Sequence, residues 1–151
     1  MNIENKLESM GIQLSSQAVA GAVYVPVKQL GNALFVSGHI PVKAGKLIYT
    51  GKVGKEVTLE QAQEAARLCV TNILSSVKAY LGDLDKVKNI IKLQAFVSSE
   101  VGFDKQHIVV NAASQLLVDL WGEAGCHTRT AVGTNQLPMD APVEIEAVIE
   151  V

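Results

Sequence analysis

The chain has 151 residues, of which 48% are hydrophobic, and this size and composition predict one domain with a substantial core. A formal net charge of −2, an aromatic content of 5% and scattered basic residues argue against a nucleic-acid partner. The sequence contains no apolar run of about 18–20 residues, and its polar N-terminus lacks the apolar core of a signal peptide. We therefore expect a cytoplasmic protein that has no membrane partner.

Apolar residues at helical spacing predict a short amphipathic helix in residues 1–10, which Gly11 ends. We expect residues 1–17 to form a helical N-terminal extension of a single domain spanning 1–151. Residues 12–21 are predicted to be a loop.

Sequence patterns then alternate between strands and helices. Apolar residues of period two predict strands, whereas a sustained apolar stripe of helical period, opened by the Thr58–Gln61 capping box, predicts a helix. In the strand at 87–98, the alternation places Ile91 on the same face as Leu93. The predicted elements are strands at 24–27 and 33–37 around a turn at 30–32, a small strand at 46–49, a helix from Thr58 to Gly82, a strand at 87–98, a helix at 104–121, and strands around Arg129 and at 143–151.

This order predicts an α+β fold in which two helices pack on one face of a mixed sheet. The face without helices would carry both apolar and charged side chains, which are listed here: Phe96, Val148, Lys92, Gln94, Glu144 and Glu146. Such a face suggests a sheet that packs against copies of itself, in a ring of protomers with clefts between them.

Arg129 and the acidic residues of the last strand form the most suggestive pair of features. If residues 135–140 fold the two final strands beside each other, Arg129 could share a cleft with Glu144 or Glu146. A fixed cation near a carboxylate can hold an anionic substrate beside a proton-handling group. The alternative is a solvated sheet face with a surface ion pair worth about 0–1 kcal/mol.

Other positions allow both a functional and an ordinary interpretation. Gly38 could let the backbone approach a ligand, or it could be a simple bulge. Asn111 could line a subunit seam or a cleft rim, or it could be a solvated helix residue. Cys126, near Arg129, could be reactive or idle, whereas Cys69 lies on an apolar helix stripe and is expected to be buried.

The sequence lacks the usual signatures of metal and cofactor sites. The two cysteines do not have metal-ligand spacing, and His39, His107 and His127 fall in different predicted elements. Nucleotide-binding glycine motifs and zinc-protease motifs are also absent. We therefore expect no metal and no cofactor.

Ordered blocks from about Tyr24 to the C-terminus resemble the RidA/YjgF/YER057c/UK114 family. The blocks that carry the resemblance are Tyr24, Leu30–Asn32, Val36–Val42, the helix after Thr58, Val87–Lys88, Phe96–Val97, Val110–Ala112, Thr128–Thr130, Leu137–Pro138 and Val143–Ala147. The resemblance implies a chorismate-mutase-like fold and a homotrimer whose sheets form a central barrel, with clefts between subunits. It also implies hydrolysis of reactive enamine and imine acids to keto acids and ammonia, without a cofactor.

The resemblance also assigns roles to individual residues. Arg129 would grip the substrate carboxylate, and Glu144 would position the hydrolytic water. Tyr24 would close the cleft, and the remaining residues would line it: Ser37, Gly38, Asn111 and Ala131. The chain differs from the familiar pattern at Ala131, where cysteine is common, and in its N-terminal extension and its loop at 43–57.

Three functions remain open from the sequence. The first is an enamine/imine deaminase, and the second is a non-catalytic or regulatory trimer that binds a small carboxylate such as a keto acid. The third is an RNA-cleaving or translation-inhibiting protein, which the acidic charge balance disfavours.

Overall fold

The structure is a computed structural model that describes residues 2–16 and 23–151. Met1, residue 17 of the predicted extension and the end of the loop predicted at 12–21 lie outside the described residues. Among the described residues, no helix is both long and apolar enough to cross a membrane.

The first helix, α1 (Ile3–Ser9), begins where the Asn2 side chain accepts a hydrogen bond from the amide of Asn5. Its apolar side is buried through Ile3 and Leu7. The Lys6 ammonium group donates to the carbonyl of Leu120 at 2.6 Å. The helix is therefore held against the C-terminal end of the last long helix of the chain.

A five-stranded mixed sheet forms the centre of the fold. Its strands are β1 (Val27–Leu30), β2 (Ala33–His39), β5 (Asn89–Ser98), β6 (Thr128–Thr134) and β7 (Val143–Glu150), and a separate hairpin pairs β3 (Val42–Lys43) with β4 (Lys46–Leu47). The sheet order is β1-β2-β7-β5-β6. Only β5 and β6 run parallel; the other neighbours are antiparallel.

Two long helices, α2 (Leu59–Leu81) and α3 (Gln106–Trp121), cover the same face of this sheet. The predicted capping box of α2 is present, since Thr58 and Gln61 exchange side-chain to backbone hydrogen bonds. Gly82 ends α2 with φ 82°, a left-handed conformation that glycine adopts without strain. The α+β fold with helices on one face is therefore confirmed.

The strand bounds differ from the predictions where the backbone is irregular. β1 starts at Val27 rather than at Tyr24, and β2 continues through an irregularity between Val36 and His39. A second irregularity between Ile90 and Lys92 reverses the alternation at the start of β5. The predicted inward position of Ile91 is therefore wrong: Ile90 is 2% exposed and Ile91 is 43% exposed.

The face without helices carries the mixture of side chains that the alternation predicts. Phe96 lies opposite Glu144 on one side and Val132 on the other. Phe35 lies opposite Val148, and it remains 49% exposed. A single protomer thus leaves large apolar side chains in solvent on this face.

Candidate functional site

Arg129 lies on edge strand β6 and faces α3. Its cross-strand partner Leu93 is buried on the helix-covered face, and directly paired residues share a face. One terminal nitrogen, Nη1, donates to the Asn111 side-chain oxygen at 2.9 Å and to Ser114 Oγ at 3.1 Å. The other, Nη2, donates to the main-chain carbonyl of His107 at 3.3 Å. Three hydrogen bonds that the guanidinium donates to oxygens on α3 therefore hold it in place.

The hydrogen bonds leave one part of the guanidinium free for a ligand. An arginine side chain has five N–H groups, and the described contacts use two on Nη1 and one on Nη2. The Nε–H and one Nη2–H have no partner among the described residues. Burial lowers the pKa of Arg129, but a guanidinium stays charged at neutral pH.

Ser114 and His127 extend this cluster, and the sequence analysis missed both. Ser114 Oγ lies 2.9 Å from His127 Nε2, and His127 Nδ1 lies 2.7 Å from the carbonyl of Gly125. A signal was present: Ser114 is three residues after Asn111 on one helix, and His127 is two residues before Arg129, in the segment that leads directly into β6. These spacings put each pair on a common face.

Ala131 follows Arg129 by two residues and therefore faces the same side of β6. It is half-buried, and it pairs with the buried Ala95 of β5. Its small side chain packs against the hydrophobic core.

A second cluster forms where β2 and β7 meet. Glu144 lies directly over Gly38: a Cβ atom placed on Gly38 would be 2.4 Å from Glu144 Oε1. Ser37 Oγ donates to the carbonyl of Val25 at 2.7 Å, which ties the chain before β1 to this point. Tyr24, 59% exposed, precedes that tie by one residue. Glu144, Gly38, Ser37 and Tyr24 thus belong to one region of the protomer.

The environment of Glu144 favours its protonated form. Partial burial raises the pKa of the Glu144 carboxyl group, and the nearby charge of Glu146 raises it further. A carboxylate with a raised pKa is a better proton acceptor near neutral pH.

The two clusters do not meet within one protomer. β5 separates β6 from β7, so the expectation that the two final strands lie side by side is wrong. Arg129 is opposite Leu93 and Glu144 is opposite Phe96, which places their Cα atoms about 14 Å apart by ordinary sheet spacings. The three-residue offset also puts their side chains on opposite faces of the sheet.

Two other features of the described residues lie away from these clusters. The one group of three carboxylates found there, Glu4, Asp83 and Asp85, accepts hydrogen bonds from backbone amides of α1 and of the 3₁₀ turn Leu84–Lys86 that follows α2, so it fastens α1 to the domain. A hollow of about 1020 Å³ lies between α2, residues 11–15 and the β3–β4 hairpin. None of the described residues proposed for the site lines this hollow.

The sequence profile of a family described as "YjgF/chorismate_mutase-like, putative endoribonuclease" matches residues 4–149. The chain belongs to the RidA/YjgF family. The family's chorismate-mutase-like fold describes the architecture found here, with two long helices on one face of a mixed sheet.

Two known proteins resemble the chain over almost its whole length, one in sequence and one also in structure. "Protein TCP17" of Trypanosoma cruzi is 41% identical over 145 residues, which cover 95% of this chain and 91% of that protein. The crystal structure of Atu1372 from Agrobacterium tumefaciens, a protein of unknown function, is 47% identical with a TM-score of 0.92, covering 99% and 92% of the two chains.

A further relative has a name that refers to a reaction. TdcF of Escherichia coli strain K12, named "Putative reactive intermediate deaminase", is 31% identical over 137 residues, which cover 89% of this chain and 93% of TdcF. The E. coli TdcF structure with bound serine has a TM-score of 0.64 at 27% identity and covers 87% and 91% of the two chains.

Proposed function

We propose that the protein is a hydrolytic deaminase of reactive enamine and imine acids, and that its sites lie in clefts between the subunits of a homotrimer. The observation that carries this proposal is the division of the candidate residues into two clusters. Arg129 with its α3 partners is on one face of the sheet, and Glu144 with Gly38 is on the other. In an assembly, the Arg129 cluster of one subunit could face the Glu144 cluster of another, and the two together would form one complete site.

Arg129 is suited to hold the substrate carboxylate. Its free Nε–H and Nη2–H can form the two parallel hydrogen bonds that a carboxylate accepts from a guanidinium. Asn111 orients the guanidinium from the other side. The carboxylate would fix the imine carbon at a defined distance from the edge of β6, where Ala131 lies.

Glu144 is suited to position water and to move protons. The water oxygen would attack the carbon of the protonated imine while Glu144 accepts one proton from that water, and Glu144 would then pass this proton to the nitrogen of the carbinolamine. The carbinolamine hydroxyl would give its remaining proton to Glu144 while the C=O double bond forms and the C–N bond breaks, which yields a keto acid and ammonia. The iminium carbon is already electrophilic, so orientation and a proton acceptor supply most of what the step needs.

The remaining residues take the roles that the family resemblance implies. The main chain at Ser37 and Gly38 would contact the ligand, and Tyr24 would close the cleft. Because Gly38 has no side chain, the Glu144 carboxylate can pack directly on the main chain at this point.

The helix-free face supports assembly into a trimer. Phe35 and Val132 are 49% and 40% exposed there, and Phe96 and Val148 are half-buried. Association of these faces in a closed ring would remove this apolar area from water and form the central barrel.

The name of one relative and the description of the family suggest different functions. The E. coli relative is named a deaminase and has been crystallised with serine, a small molecule that carries a carboxylate. The family description also contains the word endoribonuclease. We favour the small-carboxylate reaction because the chain has a net charge of −2 and Arg129 is held by hydrogen bonds to α3. A cytoplasmic location is part of the proposal.

The test follows the decay of 2-aminoacrylate in a coupled assay with the purified protein. We expect faster decay than in buffer, and loss of most of this acceleration in Arg129→Ala. Saturable binding of 2-keto acids without acceleration would favour the non-catalytic carboxylate-binding alternative. A correctly assembled protein that neither binds keto acids nor accelerates decay would contradict both.

A further inference from the structure

A continuous hydrogen-bond chain leads from Arg129 into the protein. Arg129 Nη1 reaches Ser114 Oγ at 3.1 Å, Ser114 Oγ reaches His127 Nε2 at 2.9 Å, and His127 Nδ1 reaches the Gly125 carbonyl at 2.7 Å. The residues come from three elements: β6, α3 and the segment between them.

The chemistry of the two ends fixes the direction of each bond. A carbonyl oxygen only accepts, so His127 Nδ1 carries the proton that it shares with Gly125. In the neutral ring, Nε2 then accepts, and Ser114 must donate its hydroxyl proton to it. A guanidinium only donates, so Ser114 Oγ accepts from Arg129 through a lone pair. Each group along these hydrogen bonds therefore has a fixed part as donor or acceptor, and the parts are compatible.

The surroundings of His127 favour the neutral form of its ring. Burial lowers the pKa of His127, the hydrogen bond to Gly125 opposes this, and the charge of Arg129 lowers the pKa again. A neutral ring is the form that accepts from Ser114.

We infer that Ser114 and His127 are positioning residues, which hold the Arg129 guanidinium in the one orientation that presents Nε–H and Nη2–H to a substrate carboxylate. The inference rests on the proposed function of Arg129 and adds two residues to it. Asn111 alone anchors Nη1 from one side, whereas Ser114 is the second anchor on the same nitrogen. Without His127 the Ser114 hydroxyl is free to turn, as serine hydroxyls in helices do when they bond the preceding turn.

The kinetic test compares Ser114→Ala and Ser114→Thr with the wild-type protein in the 2-aminoacrylate assay, together with calorimetry of 2-oxobutanoate. We expect Ser114→Ala to raise KM and the keto acid Kd about ten-fold, equivalent to about 1.4 kcal/mol. The value of kcat should change by less than about two-fold, because the carboxylate is gripped equally before and during the reaction.

Matched variants separate positioning from a structural role. Ser114→Thr keeps the hydroxyl and should restore KM to within about two-fold of wild type. His127→Phe, which removes the acceptor, should reproduce the KM effect of Ser114→Ala. Ser9→Ala, a serine on α1 that bonds only its own helix, should change nothing. An unchanged KM in Ser114→Ala, or a loss confined to thermal stability, would overturn the inference.

A second readout does not depend on turnover. The chain has only two arginines, Arg67 and Arg129, so side-chain ¹⁵N NMR can follow the Arg129 guanidinium with Arg67 as internal reference. We expect slow guanidinium rotation at Arg129 in the wild type and fast rotation in Ser114→Ala and His127→Phe. This result supports the positioning role of Ser114 and His127 even in a protein that hydrolyses no imine, in which case the proposed function alone fails. Equal rotation rates in the wild type, Ser114→Ala and His127→Phe overturn the positioning role even if the enzyme is active.

Discussion

Gly38→Ala is the substitution whose effect follows most directly from the structure. The new Cβ atom would lie 2.4 Å from Oε1, 3.0 Å from Cδ and 3.2 Å from Cγ of Glu144, where ordinary contacts begin at 3.4 Å. The carboxylate must therefore move by about 1 Å, and a displacement of that size at a catalytic group can cost about 100-fold in rate. The backbone itself can accept alanine, because Gly38 does not have a positive φ.

The expected effect is on catalysis rather than on folding. Turning the Glu144 side chain out of its rotamer costs about 0.5–1.5 kcal/mol, so the protein should stay folded in urea titrations. We expect kcat for 2-aminoacrylate to fall by about 10- to 100-fold while keto acid binding at Arg129 persists.

A double-mutant cycle tests whether Gly38→Ala acts through Glu144. In a Glu144→Ala background the clash is removed, so adding Gly38→Ala should cause almost no further loss. Independent losses in the two backgrounds, or a Gly38→Ala enzyme as fast as wild type, would refute the reasoning.

Four further experiments test other parts of the account. Arg129→Lys keeps the charge but loses the planar fork, so KM in the imine assay should rise by at least about ten-fold; an unchanged KM would contradict a two-bond carboxylate grip. Phe35→Glu should dissociate the assembly in sedimentation experiments, whereas Tyr80→Glu, equally 49% exposed but on α2, should not; dissociation by both or by neither would contradict the assigned interface. Burial lowers the pKa of His39 below its usual 6.5, so the unfolded protein binds more protons than the folded protein and the free energy of unfolding should fall as pH drops below about 6.5. In urea titrations, the free energy of unfolding of His39→Gln should fall less over this pH range, and an equal fall would contradict the assignment to His39. Thr58→Ala should lower the free energy of unfolding by about 0.5–2 kcal/mol through loss of the α2 cap, and an unchanged urea midpoint would contradict a stabilising cap.

Features set by local chemistry were predictable from the sequence. The Thr58–Gln61 capping box and the left-handed Gly82 define the ends of α2. Thr and Gln side chains bond the free backbone amides at the start of a helix, and glycine adopts the left-handed conformation at its end without strain. The alternation in β7 likewise identifies its buried face, on which Val143 and Ile145 are completely buried.

Features set by contacts distant in sequence were not predictable. The irregularity between Ile90 and Lys92 shifts the alternation by one residue, and no turn residue marks it, so Ile91 was assigned to the wrong face. The insertion of β5 between the last two strands depends on a parallel pairing with β6 that no local pattern specifies.

The candidate site shows the same division. The resemblance singled out Arg129 and Glu144 as individual residues, but the separation of their clusters on opposite faces became visible only in three dimensions. Ser114 and His127 carry no recognisable motif, and their relation to Arg129 depends on how α3 packs against β6.

Mixing two inactive variants tests the central claim most directly. Arg129→Ala and Glu144→Ala should each lack activity alone, but a cleft that takes Arg129 from one subunit and Glu144 from the next is intact in mixed trimers. Random reassembly of equal amounts should restore about a quarter of the wild-type activity, since each cleft has an even chance of receiving each functional residue. A mixed sample without activity, in which mass spectrometry verifies that subunits have exchanged, would contradict a site built from two protomers.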